Sequence, residues 1–294
     1  MIFQARKVIL ACILSVFLVF SVAVGAQAYS DILAFGDSLS DNGQYYTVSV
    51  YGQTGNINPA DVYGFRRFSN GPVWVEYLAN DLGISLVSLL DMAYGGATTN
   101  YDNPAAGLSY TGLQWQVGVY KATYQTISAN TLVTVWAGGN DMFNGRDPNT
   151  AATNIALAIQ NLINMGGKDF IVPNLWTTNA WEAAFDPALA ADLAATELAN
   201  PGVDIDLLDL NKLTVTGINN YTGTWLDNSC ANNPTDPNCS NDHFFYWDTV
   251  GVHPTTEVHQ QIGAYAAASV PEPASIILLL LGIAGLASAR KRMK

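Results

Sequence analysis

The chain has 294 residues, 49% of them hydrophobic and only 12% charged, a composition that can bury enough apolar surface to offset chain entropy and that excludes a disordered protein. Its 25 glycines follow no period and its 3 cysteines are too few for a scaffold of disulfides, so collagen-like and cystine-rich classes are excluded as well. Half of the 12 cations lie in the two tails; between residues 29 and 270, 6 cations face 23 acids, a balance of −17 that repels phosphate backbones and excludes nucleic acid as a partner.

In chain order, Arg6 and Lys7 precede a largely apolar stretch over 8–26, and Ala26-Gln27-Ala28 forms an A-x-A site. This is the pattern of a secretory signal over 1–28, read by a signal peptidase. The stretch is 19 residues long, so an uncleaved anchor is the alternative. The body, 29–269, shows no internal repeat and no linker that divides it. Residues 31–35 are predicted as a strand cut off by Gly36, and 72–82 as a helix with Pro72 in its first turn. Residues 131–137 form a second strand closed by Gly138-Gly139, and a helix over 150–165 ends at Gly166-Gly167. Two further strands are expected at 170–173 and 205–210, and helices at 181–199 and 255–267. Strands alternating with helices on this scale predict an α/β fold, a three-layer α/β/α sandwich around a parallel sheet of about five strands. In such sheets chemistry gathers beyond the carboxyl ends of the strands.

Four segments there carry candidate chemistry. Gly36-Asp37-Ser38-Leu39 follows the first strand, where Ser38 is presented as a nucleophile beside helix-type amides or, alternatively, the Asp-Ser pair caps a turn. Tyr94-Gly95-Gly96-Ala97 leaves a backbone N–H free to meet a ligand, or is a plain tight turn. In Gly138-Gly139-Asn140-Asp141 the Asn140 amide can donate, the alternative being an Asx-turn. Asp248-Thr249-Val250-Gly251-Val252-His253-Pro254-Thr255 offers a general base with an acid upstream. Of the three histidines, His259 falls on the last helix and His243 in an aromatic stretch, which leaves His253 as the base.

Taken together and in this order, the four segments resemble the GDSL/SGNH esterase–lipase family, over essentially all of 32–263; Arg67-Phe68-Ser69-Asn70-Gly71-Pro72-Val73-Trp74 is similar to a segment of its lipase-like branch. The resemblance implies the SGNH-hydrolase, flavodoxin-like arrangement and a serine hydrolase without metal or organic cofactor. Ser38 becomes the nucleophile, His253 the base and Asp248 the residue that orients the imidazole. The oxyanion hole is then assigned to the N–H of Ser38, the N–H of Gly95 and the side chain of Asn140. One feature departs from the family: its Asp-x-x-His spacing would put the acid at Val250, whereas Asp248 stands five residues before His253. Either residues 249–252 bulge, or a backbone carbonyl replaces the acid. A binding protein that keeps the fold without turnover is the reading from another class, and acyl transfer to an acceptor other than water is the rival within catalysis.

At the C-terminus, Pro271-Glu272-Pro273 precedes an apolar run over 274–289 and the basic Arg290-Lys291-Arg292-Met293-Lys294. At 16 residues the run is marginal for spanning a hydrocarbon core of about 30 Å. It makes a transient membrane contact, held by cations on the cytoplasmic side. The order resembles the PEP-CTERM sorting signal of Gram-negative bacteria over 270–294, which implies cutting by an exosortase-type enzyme and release to the periplasm, cell surface or extracellular matrix. An ordinary C-terminal anchor is the alternative. In an oxidising compartment Cys230 and Cys239, with eight residues between them in an Asn/Pro/Asp-rich loop, are expected to pair, since no ligand spacing around them suits a metal. Expected substrates are small-molecule, lipid or acylated-polysaccharide esters, with strongly anionic ones disfavoured by the acidic body.

Overall fold

The computed structural model describes residues 29–43, 67–216 and 252–270. The apolar run after residue 30 forms β1 (Asp31–Gly36), buried along its whole length after the first residue, as a central parallel strand must be. β2 (Leu89–Asp91) pairs with one edge of β1 and β3 (Thr131–Trp136) with the other, followed by β4 (Asp169–Pro173) and β5 (Asp204–Leu208). The sheet order is β2-β1-β3-β4-β5, parallel throughout, the flavodoxin-like order whose switch point lies at the ends of β1 and β3. Gly36 stands opposite Trp136 and Ala34 opposite Asp91. The segments that leave β1, β2 and β3 therefore emerge side by side.

Helices cover both faces. α1 (Trp74–Asp81) packs against α6 (Thr256–Ser269), while α2 (Leu113–Thr123) and α5 (Ala180–Ala199) each pack with α4 (Pro148–Asn164); α3 (Gly139–Phe143) is a short turn of helix after β3. The result is the expected three-layer α/β/α sandwich. Trp74 of α1 and Trp136 of β3 are both fully buried and meet edge-on, ring centroids 5.7 Å apart, in the core below the strand ends.

The predicted elements are found with ends shifted by one or two residues. α4 starts at Pro148 rather than 150 because the Asp147 side chain accepts the Thr150 N–H, an N-cap with proline at N1. Three elements escape the sequence reading, among them the five-residue α3. β2 is only three residues long, too short to show a period. α2 turns Gln114 and Gln116 inward alongside Leu113 and Val117, so its buried face does not read as apolar. No helix among the described residues is long and apolar enough to cross a membrane.

Candidate active site

β1 ends in Gly36 at φ +147°, where a Cβ would lie 2.1 Å from the Trp136 carbonyl oxygen. Only glycine fits, and the chain turns sharply there. Asp37 continues the turn: its N–H donates to Trp136 O, its O accepts the N–H groups of Ser40 and Asp41, and its side chain accepts the Leu39 N–H at 3.0 Å. Asp37 thus caps this turn, and the turn presents Ser38. The side chain that caps the turn is thus that of Asp37, the neighbour of Ser38.

Ser38 is only 5% exposed, and its Oγ lies 2.8 Å from His253 Nε2, across 215 residues of sequence. The loop that carries His253 is buttressed by the 67–72 segment, for which the sequence suggests no role in the chemistry. Phe68 lies against the imidazole with ring centroids 5.1 Å apart. Ser69 Oγ donates to Pro254 O at 3.0 Å, and Asn70 Oδ1 accepts the Thr256 N–H at 2.8 Å. Thr256 Oγ1 in turn donates to Pro72 O. Trp74 ties the pieces together, its indole N–H on Ser40 Oγ at 3.0 Å and its backbone N–H on His259 Nδ1 at 3.2 Å.

The glycine pair lies beside this turn, because Tyr94 N–H donates to Gly36 O at 3.2 Å. The Gly95 N–H, expected to face the oxyanion, is committed elsewhere: it donates to the buried Asp41 Oδ2 at 2.9 Å. The next N–H, that of Gly96, donates to no acceptor among the described residues, and neither does that of Ser38. Gly96 has φ +82°, and a Cβ there would meet Asn103 Oδ1 at 2.4 Å. From the far side, the Asn140 amide donates one proton to Asp37 Oδ2 at 3.3 Å, which leaves the other for a ligand. Asp248, Cys230 and Cys239 lie outside the described residues, as do the two tails.

The GDSL-like lipase/acylhydrolase family model matches residues 32–266. The chain belongs to that family. A PEP-CTERM protein-sorting motif matches 269–292, which marks this GDSL protein for export by an exosortase in Gram-negative bacteria. It is 29% identical over 165 residues to a phosphatidylcholine-sterol acyltransferase of Aeromonas hydrophila, covering 50% of this chain and 45% of that one. It is 33% identical over 159 residues to a thermolabile hemolysin of Vibrio parahaemolyticus, covering 52% and 35%. The chain thus spans less than half the length of these curated relatives. Among solved structures, a lipolytic G-D-S-L protein from Veillonella parvula is 14% identical with a TM-score of 0.47, over 81% of this chain and 97% of that one.

The GDSL body collects acids around the turn that carries Ser38. Burial pushes the Asp37 carboxyl up to about 7 and that of Asp41 up to about 6, and raises Asp91 well above the usual range, with the charge of Asp41 adding to it. Asp41 and Asp91 brace the two loops reciprocally, since Asp91 Oδ2 accepts the Asn42 N–H while Asp41 reaches Gly95. Arg67 lies near both and is paired in two places with Glu76. His259 is fully buried, and burial holds it down to about 3. Acids raised on folding contribute stability that is complete below their unfolded values and lost as pH rises through the folded ones. A histidine depressed on folding contributes stability present above 6.5 and lost as pH falls. Above pH 6.5 only the acids act, so Tm is expected to drop by several degrees between pH 6.5 and 8, in thermal unfolding followed by circular dichroism. Asp37→Asn should make that drop smaller and leave the part due to Asp91; a Tm constant or rising over the interval would contradict the assignment.

Proposed function

We propose that the protein is an exported serine ester hydrolase, an esterase or lipase that works through an acyl-enzyme. The observation that carries this reading is the 2.8 Å contact between Ser38 Oγ and His253 Nε2, the geometry of a hydroxyl activated by an adjacent base. His253 Nε2 takes the proton as Ser38 Oγ bonds to the ester carbonyl carbon. The carbonyl oxygen becomes an oxyanion, received by the N–H groups of Ser38 and Gly96 and by the free amide proton of Asn140. Gly96 replaces Gly95 in this role because the Gly95 N–H already serves Asp41. The imidazolium then protonates the departing alcohol. Water, deprotonated by the same imidazole, releases the acid and restores Ser38. Asp248 is proposed to orient His253 despite its spacing, and the mature enzyme to comprise 29–269 with a Cys230–Cys239 disulfide, acting in the periplasm, at the cell surface or in the matrix. The step sequence needs neither metal nor organic cofactor.

Likeness to an acyltransferase over half of the chain supports a second reading, in which an alcohol rather than water accepts the acyl group from Ser38. A p-nitrophenyl ester series of increasing chain length, run beside Ser38→Ala, tests the hydrolase and sorts esterase from lipase. An added alcohol that yields transesterified product supports the transferase. Failure to hydrolyse any ester, with no transfer, would overturn both. Asn140→Ala is expected to lower kcat by about 10²–10³-fold with little change in KM, because it removes a donor that matters in the transition state. A wild-type kcat in that variant would remove Asn140 from the hole.

A further inference from the structure

The residue before the proposed donor is gripped at both ends. Gly95 N–H donates to Asp41 Oδ2 at 2.9 Å, and Gly95 O accepts from Asn103 Nδ2 at 2.8 Å. Gly95 O and the N–H of Gly96 belong to one peptide plane, which is trans like every peptide in the chain's described segments, so they point in opposite directions. Whatever holds the first therefore sets the bearing of the second.

Asn103 is completely buried, 100% inaccessible with 0% exposure, and every polar atom of its side chain is engaged. Nδ2 also donates to Thr111 Oγ1 at 3.0 Å, and Oδ1 accepts the Ala106 N–H at 3.1 Å. Thr111, at φ +77°, passes the network on through its carbonyl, which accepts from Gln116 Nε2 at 2.9 Å. Gln116, also fully buried, closes on the nucleophile strand: Oε1 accepts the Gly36 N–H at 3.0 Å and Nε2 donates to Gly36 O at 2.7 Å. An uncharged chain of amides and a hydroxyl thus runs from the residue two before Ser38 to the peptide that carries the Gly96 N–H.

We propose that Asn103 is a positioning residue for the oxyanion hole, fixing the Gly95–Gly96 peptide so that the Gly96 N–H faces the reacting carbonyl, with Thr111 and Gln116 referencing that peptide to the nucleophile turn. The inference rests on the Ser38 acyl-enzyme reading. Its physical basis is the permissiveness of a Gly-Gly peptide, in which neither neighbour has a Cβ to oppose rotation of the plane. A flip would exchange a donor for a carbonyl oxygen and turn attraction for the oxyanion into repulsion. The flipped state is opposed by the bond from Asn103, because releasing it strands a buried acceptor.

The test uses purified full-length protein with a p-nitrophenyl ester, rates being normalised to active sites titrated by a fluorophosphonate. Asn103→Asp keeps the volume but replaces the amide donor with an acceptor facing Gly95 O; kcat is expected to fall about 10–100-fold, a fraction of the effect of deleting a donor outright, with KM within about 3-fold. An alkyl boronic acid, which mimics the oxyanion, should lose affinity by the same factor, a parallel that merely lowered stability would not produce. Should Asn103→Asp not fold, Thr111→Val and Thr111→Ser decide: valine removes the acceptor of the second Asn103 bond and is expected to lower kcat several-fold, while serine returns the hydroxyl and the rate. Wild-type kcat and boronate affinity in folded Asn103→Asp, or in Thr111→Val, would overturn the proposal. Ser38→Ala in the same series separates the two levels: activity surviving there defeats the acyl-enzyme reading itself, whereas an inert Ser38→Ala beside fully active Asn103 and Thr111 variants defeats only the positioning role.

Discussion

Ser38→Ala is expected to reduce kcat on a p-nitrophenyl ester by about 10⁴–10⁶-fold, His253→Ala by a similar factor, and the double variant by no more than either alone. Non-additivity follows from the geometry. The two side chains share one hydrogen bond, and in the proposed mechanism the proton that leaves Ser38 Oγ goes to His253 Nε2. Removing the nucleophile leaves the base without a task, and removing the base leaves a hydroxyl of ordinary, very weak nucleophilicity. The residue of catalysis in each variant would come from the backbone N–H groups at positions 38 and 96, the Asn140 amide and substrate binding, which neither change removes. KM should move far less than kcat. Multiplicative losses in the double variant would mean that the two residues act independently, which the reading does not permit.

Gly36→Ala carries the largest expected effect on folding. The added Cβ would sit 2.1 Å from Trp136 O and 3.1 Å from Trp136 C, backbone atoms of the neighbouring central strand that cannot rotate away. The residue also holds φ +147°, which L side chains rarely adopt. Either β1 separates from β3, with which Gly36 is in register, or the chain fails to reach this fold. A loss of more than about 3 kcal/mol is expected, in the range reserved for core disruption and special backbone conformations. Gly83→Ala supplies the control. Gly83 has φ +70° with nothing within 4 Å of a Cβ, so strain alone applies, about 1–2 kcal/mol. Urea denaturation of the two variants isolates the clash. Equal midpoints would contradict it.

What the sequence made legible was the chemistry that residue type announces. Serine after a strand and glycine and an asparagine after paired glycines each leave a structural alternative open alone; with the late histidine before proline, and read in order, they point to chemistry in one dimension. Gly36 marked the turn, whereas its place beside the Gly138-Gly139 turn follows from the pairing of β1 with β3, which the sequence does not show. What remained hidden depends on hydrogen-bond accounting in three dimensions. Nothing in Gly95-Gly96 says which N–H is left over, because the answer lies with Asp41, 54 residues away. Asn103, Thr111 and Gln116 are polar residues that resemble surface until their partners are known, and the inward glutamines of α2 concealed that helix for the same reason. The 67–72 segment holds His253 with a ring contact, a hydroxyl and an amide, none of which advertises a role in isolation. β2 stays hidden because three residues show no period, although its Asp91 accepts the Asn42 N–H in the loop after Ser38.

The most direct test of the central claim is stoichiometric labelling with an alkyl fluorophosphonate, followed by peptide mass spectrometry. A single adduct on Ser38 is expected, absent in Ser38→Ala and formed much more slowly in His253→Ala. Labelling that persists in folded Ser38→Ala, or that settles on a different serine, would show that the hydroxyl facing His253 is not the one that attacks.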